Sequence, residues 1–153
     1  MRAIVCAGLC LLACAVLMAT ATVATGGPPV PYLIIAEETM VINLTTGQVE
    51  FTAVGEGSHI GHATNQASGQ LYPDGRLVGS GTLTAADGSQ IFWTVDGNLN
   101  DPNLLITLTG GTGRFENVAG ELNACEITDR VETIENGFMT ITSHTRRSGW
   151  ISF

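Results

Sequence analysis

The sequence contains no lysine, and its six basic residues are all arginines, against 14 acidic residues and a net charge of −8. Nucleic-acid binding depends on clustered positive charge, and only the adjacent Arg146 and Arg147 offer any. The composition therefore predicts no nucleic-acid partner and is typical of an acidic domain that its own charge keeps soluble.

Cysteine is scarce beyond the N-terminus. Cys6, Cys10 and Cys14 lie within the first 24 residues, which leaves Cys125 alone in the rest of the chain. A single cysteine excludes an internal disulfide, and no local motif ties Cys125 to a histidine or a carboxylate that would activate it as a nucleophile. We therefore predict that Cys125 is a small buried residue of a strand.

Aromatic residues make up only 6% of the chain. The terminal segment from Trp150 to Phe153 resembles the end of a bacterial outer-membrane barrel, a class whose smallest members have eight strands. The aromatic residues are too few for two interfacial girdles, and the predicted outward faces carry charges such as Glu50 and Glu126. A small outer-membrane barrel is therefore an alternative that the composition disfavours.

The long apolar run of the chain lies at its N-terminus. Arg2 precedes an uninterrupted apolar stretch from Ala3 to Met18, and Ala19-Thr20-Ala21 or Thr22-Val23-Ala24 fits the small-residue pattern that signal peptidase cuts. Residues 1–24 are therefore predicted to be a signal peptide. The mature protein is then secreted or periplasmic, with no stable membrane span after cleavage.

Two alternatives for this segment stay open. A retained membrane anchor needs about 18 to 20 apolar residues, slightly more than this run provides. Leu11-Leu12-Ala13-Cys14 also resembles a bacterial lipobox, in which Cys14 would be lipidated and anchor the protein.

After the leader, residues 25–31 are predicted to be a linker, and residues 32–153 form one domain that is long enough to bury a core. Apolar and polar residues alternate from Gln48 to Glu56, with the period of two that marks a half-buried strand. Further strands are expected over Tyr32–Glu37, Ile60–Leu71, Arg76–Ala85, Ser89–Gly97, Leu104–Thr109, Val118–Arg130, Phe138–Arg146 and Gly149–Phe153.

Turn residues separate these segments. Pro73-Asp74-Gly75, Ala86-Asp87-Gly88 and Asn136-Gly137 are hairpin signals, because Gly and Asn supply the positive φ angles that tight turns require. About eight strands joined by hairpins, with no convincing helix, predict an all-β fold: a single eight-stranded antiparallel up-and-down β-barrel. A barrel of this size is either filled with side chains or holds one small ligand.

The glycine-rich segment GGTGRF, from Gly110 to Phe115, marks a place where the chain turns or passes close to another strand. A positive φ is expected at Gly111 or Gly113. A phosphate-loop interpretation fails, because such a loop needs a lysine and a following helix, and a strand is expected here.

The wider segment TLTGGTGRFENVAGEL, Thr107 to Leu122, resembles a hallmark of the allene oxide cyclase and dirigent barrel superfamily. Gly57 to Gly61 (GSHIG) and Gly81 to Gly88 (GTLTAADG) are similar to stretches of its secreted bacterial relatives. The match at the glycine segment covers Gly110, Gly111, Thr112, Gly113, Phe115 and Gly120.

The resemblance implies a barrel that holds a hydrophobic substrate in its lumen, in a family whose plant members cyclise an epoxide or steer radical coupling and are typically trimeric. No motif here matches their polar working residues, so no catalytic residue is carried over. The leading hypothesis is an exported barrel that binds a small apolar ligand, or serves as an interaction module, without catalysis and without a cofactor. The alternative is a cyclase-like isomerase or stereochemical guide.

The other residues that could bind a metal or act in catalysis fit ordinary structural roles. His59 and His62 are three apart, a spacing that sends them to opposite faces of a strand and disfavours a metal site. His144 either lines the lumen or faces water. Carboxylates for acid and base chemistry would come from a set whose spacing fits a solvated strand face: Glu50, Glu56, Asp96, Glu121, Glu126 and Asp129.

Overall fold

The structure is a computed structural model that describes residues 27–101 and 103–153. The predicted signal peptide, residues 1–24, and the start of the predicted linker lie outside the described residues.

Eight antiparallel strands close into one barrel, in which each strand pairs with the next and the last pairs with the first. This confirms the predicted all-β, up-and-down barrel. The one helical element in the described ranges is a 3-10 turn at Gly113–Phe115, and no helix there is long and apolar enough to cross a membrane. The strands are β1 (Val30–Asn43), β2 (Gln48–Gly57), β3 (Gly61–Leu71), β4 (Arg76–Ala85), β5 (Gln90–Asn98), β6 (Ile106–Gly111), β7 (Ala119–Glu135) and β8 (Phe138–Ser152).

The first and last strands, β1 and β8, are longer than the sequence indicates. β1 begins at Val30, inside the predicted linker, and continues to Asn43 instead of ending at Glu37. The two predicted C-terminal strands are one, β8, because Gly149 continues the strand opposite Leu122. A side chain at Gly149 would collide with the carbonyl oxygen of Glu121, so a glycine is needed where the two backbones approach closely.

The three hairpin turns form where the sequence predicts them. Gly75 has φ 86° and Gly88 has φ 84°. Asn136 and Gly137, which join β7 to β8, have φ 51° and 82°, the two consecutive positive angles of a type I′ turn. These turns fix the register of the strands that they connect.

Alternation decides which residues fill the barrel. Inward residues of β5, Ile91, Trp93 and Val95, are all buried, and β2 likewise buries Val49 and Ala53. Burying a side chain the size of Ile91 stabilises the fold by about 1.5 to 3 kcal/mol relative to leaving it exposed. The predicted period-two faces are confirmed, and the core lies inside the barrel.

One end of the barrel is plugged by the glycine-rich segment. Phe115, Ile60 and Tyr32 are at most 2% exposed at this end. Arg114 donates to the carbonyl oxygens of His59 at 3.0 Å and Ile60 at 2.8 Å. Its guanidinium also pairs with Asp87 at 3.0 Å. The GGTGRF segment thus ties together the β2–β3 and β4–β5 turns.

The glycines in and near this segment are required for different structural reasons. Gly110 and Gly113 have φ 143° and 60°, which confirms the expected positive φ at Gly113. Gly111 does not have a positive φ; instead, a side chain there would collide with the carbonyl oxygen of Gln90. Gly120 is restricted in the same way by the carbonyl oxygen of Trp150.

The wall of the barrel is short between β6 and β7. The two strands pair only over Ile106–Leu108 against Gly120–Leu122, although β7 continues to Glu135. Two register shifts interrupt the pairing of β7 with β8, at Leu122/Ala124 and at Thr128/Val131. Bulges such as these help to protect a free strand edge from unwanted pairing.

Candidate binding site in the barrel interior

The interior of the barrel contains a cavity of about 90 Å³. Every strand contributes to its lining because every strand turns one face inward. Most of the lining side chains are apolar: Ile34, Ala36, Met40, Val49, Phe51, Ala53, Ala63, Ala67, Leu77, Leu83, Trp93, Val95, Ile106, Leu108 and Leu122. The cavity is a mostly apolar concave space with a few polar groups, a combination that is typical of small-molecule sites in proteins.

The two ends of the barrel differ. Tyr32, Ile60 and Phe115 close one end and are absent from the cavity wall. At the other end the lining is completed by Leu99 and Leu104, from the loop between β5 and β6. A ligand that reaches the cavity from this end would pass these two leucines.

A charged pair lies within this apolar lining. Arg147 of β8 donates from Nε and Nη2 to the two carboxylate oxygens of Glu38 of β1, both at 3.3 Å. The two side chains are only 17% and 11% exposed. Burial acts to lower the pKa of Arg147, but the charge and hydrogen bonds of Glu38 outweigh it and raise that pKa. Arg147 is therefore a largely buried cation held by one carboxylate.

Cys125 lies opposite Arg147 in the β7–β8 register. It is half-buried and forms no disulfide. Burial raises the pKa of its thiol, Arg147 acts in the opposite direction, and Glu38 adds to the rise. A raised pKa keeps the thiol protonated, which fits a packing role rather than nucleophilic chemistry.

A second polar contact orients an aromatic wall of the cavity. Trp93 donates from Nε1 to Oδ1 of Asn65 at 3.0 Å, and both residues line the space. The ring of Phe51 meets the ring of Trp93 edge to face, with centroids 6.3 Å apart. The indole N–H is thus satisfied, and its ring is fixed as a flat apolar surface.

The histidines singled out from the sequence do not enter the cavity. His59 lies in the β2–β3 turn, with Nε2 3.0 Å from the carbonyl oxygen of Pro31, and His62 is exposed on β3. His144 faces outward and lies 3.2 Å from Glu37 and 3.6 Å from Asp129. Within residues 27–101 and 103–153, no three His, Cys, Asp or Glu side chains come together as a metal site.

The carboxylates weighed as acid–base candidates also lie outside the barrel. Five are exposed and Glu121 is partly exposed, which confirms the solvated strand face. Asp96, for example, accepts two hydrogen bonds of 2.7 Å from Arg76, and this pairing lowers its pKa. The structure does not bring these six carboxylates into one site: Glu50, Glu56, Asp96, Glu121, Glu126 and Asp129.

Two charged residues line the cavity that are not among the candidates predicted from the sequence, Glu38 and Arg147. Glu38 lies just beyond the predicted end of β1 at Glu37, and Arg147 is recognisable in the sequence only as half of a basic pair. The available signal was the alternation of Ile34, Ala36, Glu38, Met40 and Ile42, which puts Glu38 on the inward face of β1.

Comparison with known proteins supports the fold and no more. No protein-family model and no curated protein sequence matches the chain. Among solved structures, the barrel is similar to pyocyanin demethylase, with a TM-score of 0.50 and 13% sequence identity, over 77% of this chain and 99% of that one. At this identity the likeness concerns the fold alone. The resemblance to allene oxide cyclase and dirigent barrels is not confirmed.

Proposed function

We propose that this protein is an exported binding protein that holds a small, mainly apolar molecule inside its barrel. The observation that carries the proposal is the apolar cavity of about 90 Å³ inside the barrel, whose interior is otherwise filled by buried side chains. At about 24 cal/mol per Å³ of unfilled space, leaving it open costs about 2 kcal/mol of packing. Larger side chains at Ala53 or Ala63 would recover part of that stability, so the open space favours a ligand.

The cavity limits the size of the ligand. An apolar cavity of about 150 Å³ in another protein holds one benzene molecule. The present space is smaller, so it takes a short branched chain, or a ring that displaces the Leu99 and Leu104 side chains. A larger ligand would leave part of its length outside the barrel, beyond these leucines.

The experiment is a calorimetric titration with toluene, comparing the unmodified protein with two variants. Ala53→Leu fills the cavity, since Ala53 points inward and is 7% exposed. Thr52→Leu is the matched control, because Thr52 is the preceding residue of β2 and faces solvent. We expect Kd on the order of 0.1 mM for the unmodified protein and the control, from about 0.8 kcal/mol per ligand atom, and at least about tenfold weaker binding by Ala53→Leu. A parallel titration with 2-methyl-1-propanol covers the short branched class, which needs no displacement of Leu99 and Leu104. Absence of saturable binding of both probes would disprove the proposal, and so would equal binding by all three proteins.

A cyclase-like isomerase is the second candidate, and the position of Glu38 favours it. A carboxylate that lines an apolar cavity is a group such a reaction can use. Both of its oxygens accept hydrogen bonds from Arg147, however, which leaves the carboxylate less free to take a proton from a substrate. For this reason binding without catalysis is the function that the geometry supports better.

A further inference from the structure

We propose that the ligand is uncharged and carries one hydrogen-bond acceptor, such as a ketone or aldehyde oxygen, which accepts from Arg147. This inference rests on the proposed function, since it assigns a chemical class to the molecule in the same cavity. Three arguments support it: the unused donors of Arg147, the energetics of its pairing with Glu38, and the charge balance of the cavity.

Arg147 retains hydrogen-bonding capacity beside the cavity. A guanidinium has five N–H groups, and Glu38 accepts from only two of its nitrogens, Nε and Nη2. Nη1 has no protein acceptor among the described residues, and Arg147 contributes to the cavity lining. A bound oxygen acceptor would satisfy a donor that the protein leaves without a partner.

The stability of the fold does not explain the pair. Two charges taken out of water incur a desolvation cost that their attraction hardly repays, so apolar residues of similar volume serve a core equally well. The surroundings are apolar here too: Arg147 lies opposite Ile34 in the β1–β8 register, and Leu122 lines the same cavity. An Arg–Glu pair in this place therefore indicates recognition of a polar group.

The charge balance of the cavity selects a neutral ligand. Glu38 offsets the charge of Arg147, so a carboxylate ligand would bring a negative charge with no further cation in the lining to compensate it. A cationic ligand would meet a carboxylate whose two oxygens already accept from Arg147. A neutral acceptor adds no charge and needs only the spare N–H groups.

The test uses three probes with the same heavy-atom skeleton: acetophenone, cumene and benzoate. They are titrated into the unmodified protein and into a double variant, Glu38→Leu with Arg147→Met, which removes both charges together. The readout is the ratio of the cumene Kd to the acetophenone Kd. Cumene is the more hydrophobic probe and leaves water more readily whichever site it enters. Comparing the ratio between the two proteins removes this contribution. We expect the ratio to fall about tenfold or more in the double variant, and benzoate to bind more weakly than acetophenone to the unmodified protein.

The outcomes separate this inference from the function on which it rests. If both neutral probes bind but the ratio is the same in the two proteins, Arg147 holds no acceptor and the inference is wrong while the proposed function stands. If none of the three probes binds, the inference fails, and the proposed function fails with it when toluene and 2-methyl-1-propanol do not bind either. If benzoate binds most tightly, the ligand class is anionic and the inference is overturned.

A second measurement does not depend on the variant folding. The infrared carbonyl stretch of acetophenone should move to lower frequency when it binds the unmodified protein, as expected for an oxygen that accepts from a cation. A stretch that matches acetophenone in an apolar solvent would contradict the hydrogen bond to Arg147.

Discussion

Glu38 and Arg147 meet inside the barrel through two hydrogen bonds of 3.3 Å, although 109 residues separate them in the chain. Removing one partner leaves a buried charge without compensation, whereas removing both leaves an apolar wall. We therefore expect Arg147→Met alone to lower the free energy of unfolding by about 3 to 5 kcal/mol, and Glu38→Leu with Arg147→Met to change it by less than about 1 kcal/mol. Urea unfolding of the single and double variants measures both. A double variant as unstable as the single one would show that the pair itself holds the barrel together.

Two glycines at the plugged end test two different physical requirements. Gly88 needs its positive φ and has open space around it, whereas Gly111 needs space beside the Gln90 carbonyl. Asparagine tolerates a positive φ, so we expect Gly88→Asn to cost less than Gly88→Val. At Gly111 both substitutions should destabilise by about 1 kcal/mol or more, because either side chain collides. Melting temperatures of the four variants decide the matter, and an asparagine tolerated at Gly111 would contradict the close approach.

Burial raises the pKa of Tyr32 to about 12. An unfolded tyrosine ionises near pH 10, so between pH 10 and 12 the unfolded chain loses a proton that the native state keeps. The stability contributed by Tyr32 is therefore fully present below pH 10, and it falls by about 2 to 3 kcal/mol as the pH rises to 12. Unfolding free energies at pH 9 and pH 11.5 measure this loss.

The hydroxyl of Tyr32 has no partner in the described ranges, so Tyr32→Phe should fold normally at pH 7. It should also lose the part of the alkaline decline that Tyr32 causes, whereas the raised pKa of the Cys125 thiol leaves a decline of the same sign. Tyr72→Phe is the matched control, because Tyr72 is 45% exposed. If the decline in Tyr32→Phe is as large as in the unmodified protein, Tyr32 does not cause it.

The sequence predicts much of this fold because its signals are local. Ile91, Trp93 and Val95 occupy alternate positions, and Asn136-Gly137 supplies a turn whose backbone angles few other residues adopt. Glu38 is harder to identify, although the alternation along β1 places it on the inward face. A charge after Glu37 looks like the end of a strand, and only the partner on β8 makes an inward Glu38 tolerable.

The requirement for a glycine at position 149 also depends on a long-range contact. Ser148-Gly149 reads as an interruption, yet the backbone of β7 requires a residue without a side chain at that point of β8. The candidate site is therefore less predictable than the fold, since its features depend on which strands become neighbours.

Export predicts a defined N-terminus. Cleavage after Ala21 or Ala24 should give a mature protein that begins at Thr22 or Thr25, and intact-mass spectrometry of secreted material identifies either form. A Cys14→Ser variant is the control for the lipobox. Its processing should be unchanged, whereas a lipid-modified N-terminus that disappears in Cys14→Ser would show an anchored lipoprotein instead.

Trp93 offers the most direct test of a ligand inside the barrel, because it lines the cavity and is 7% exposed. The chain has two tryptophans, and Trp150→Phe leaves Trp93 as the sole indole fluorophore. Bromobenzene, a contact quencher, should quench this variant along a saturable curve, and a further Ala53→Leu substitution should abolish the saturable part. Quenching that rises linearly with bromobenzene and ignores Ala53→Leu would contradict the account, since it would show that the probe reaches Trp93 only by collision from solvent.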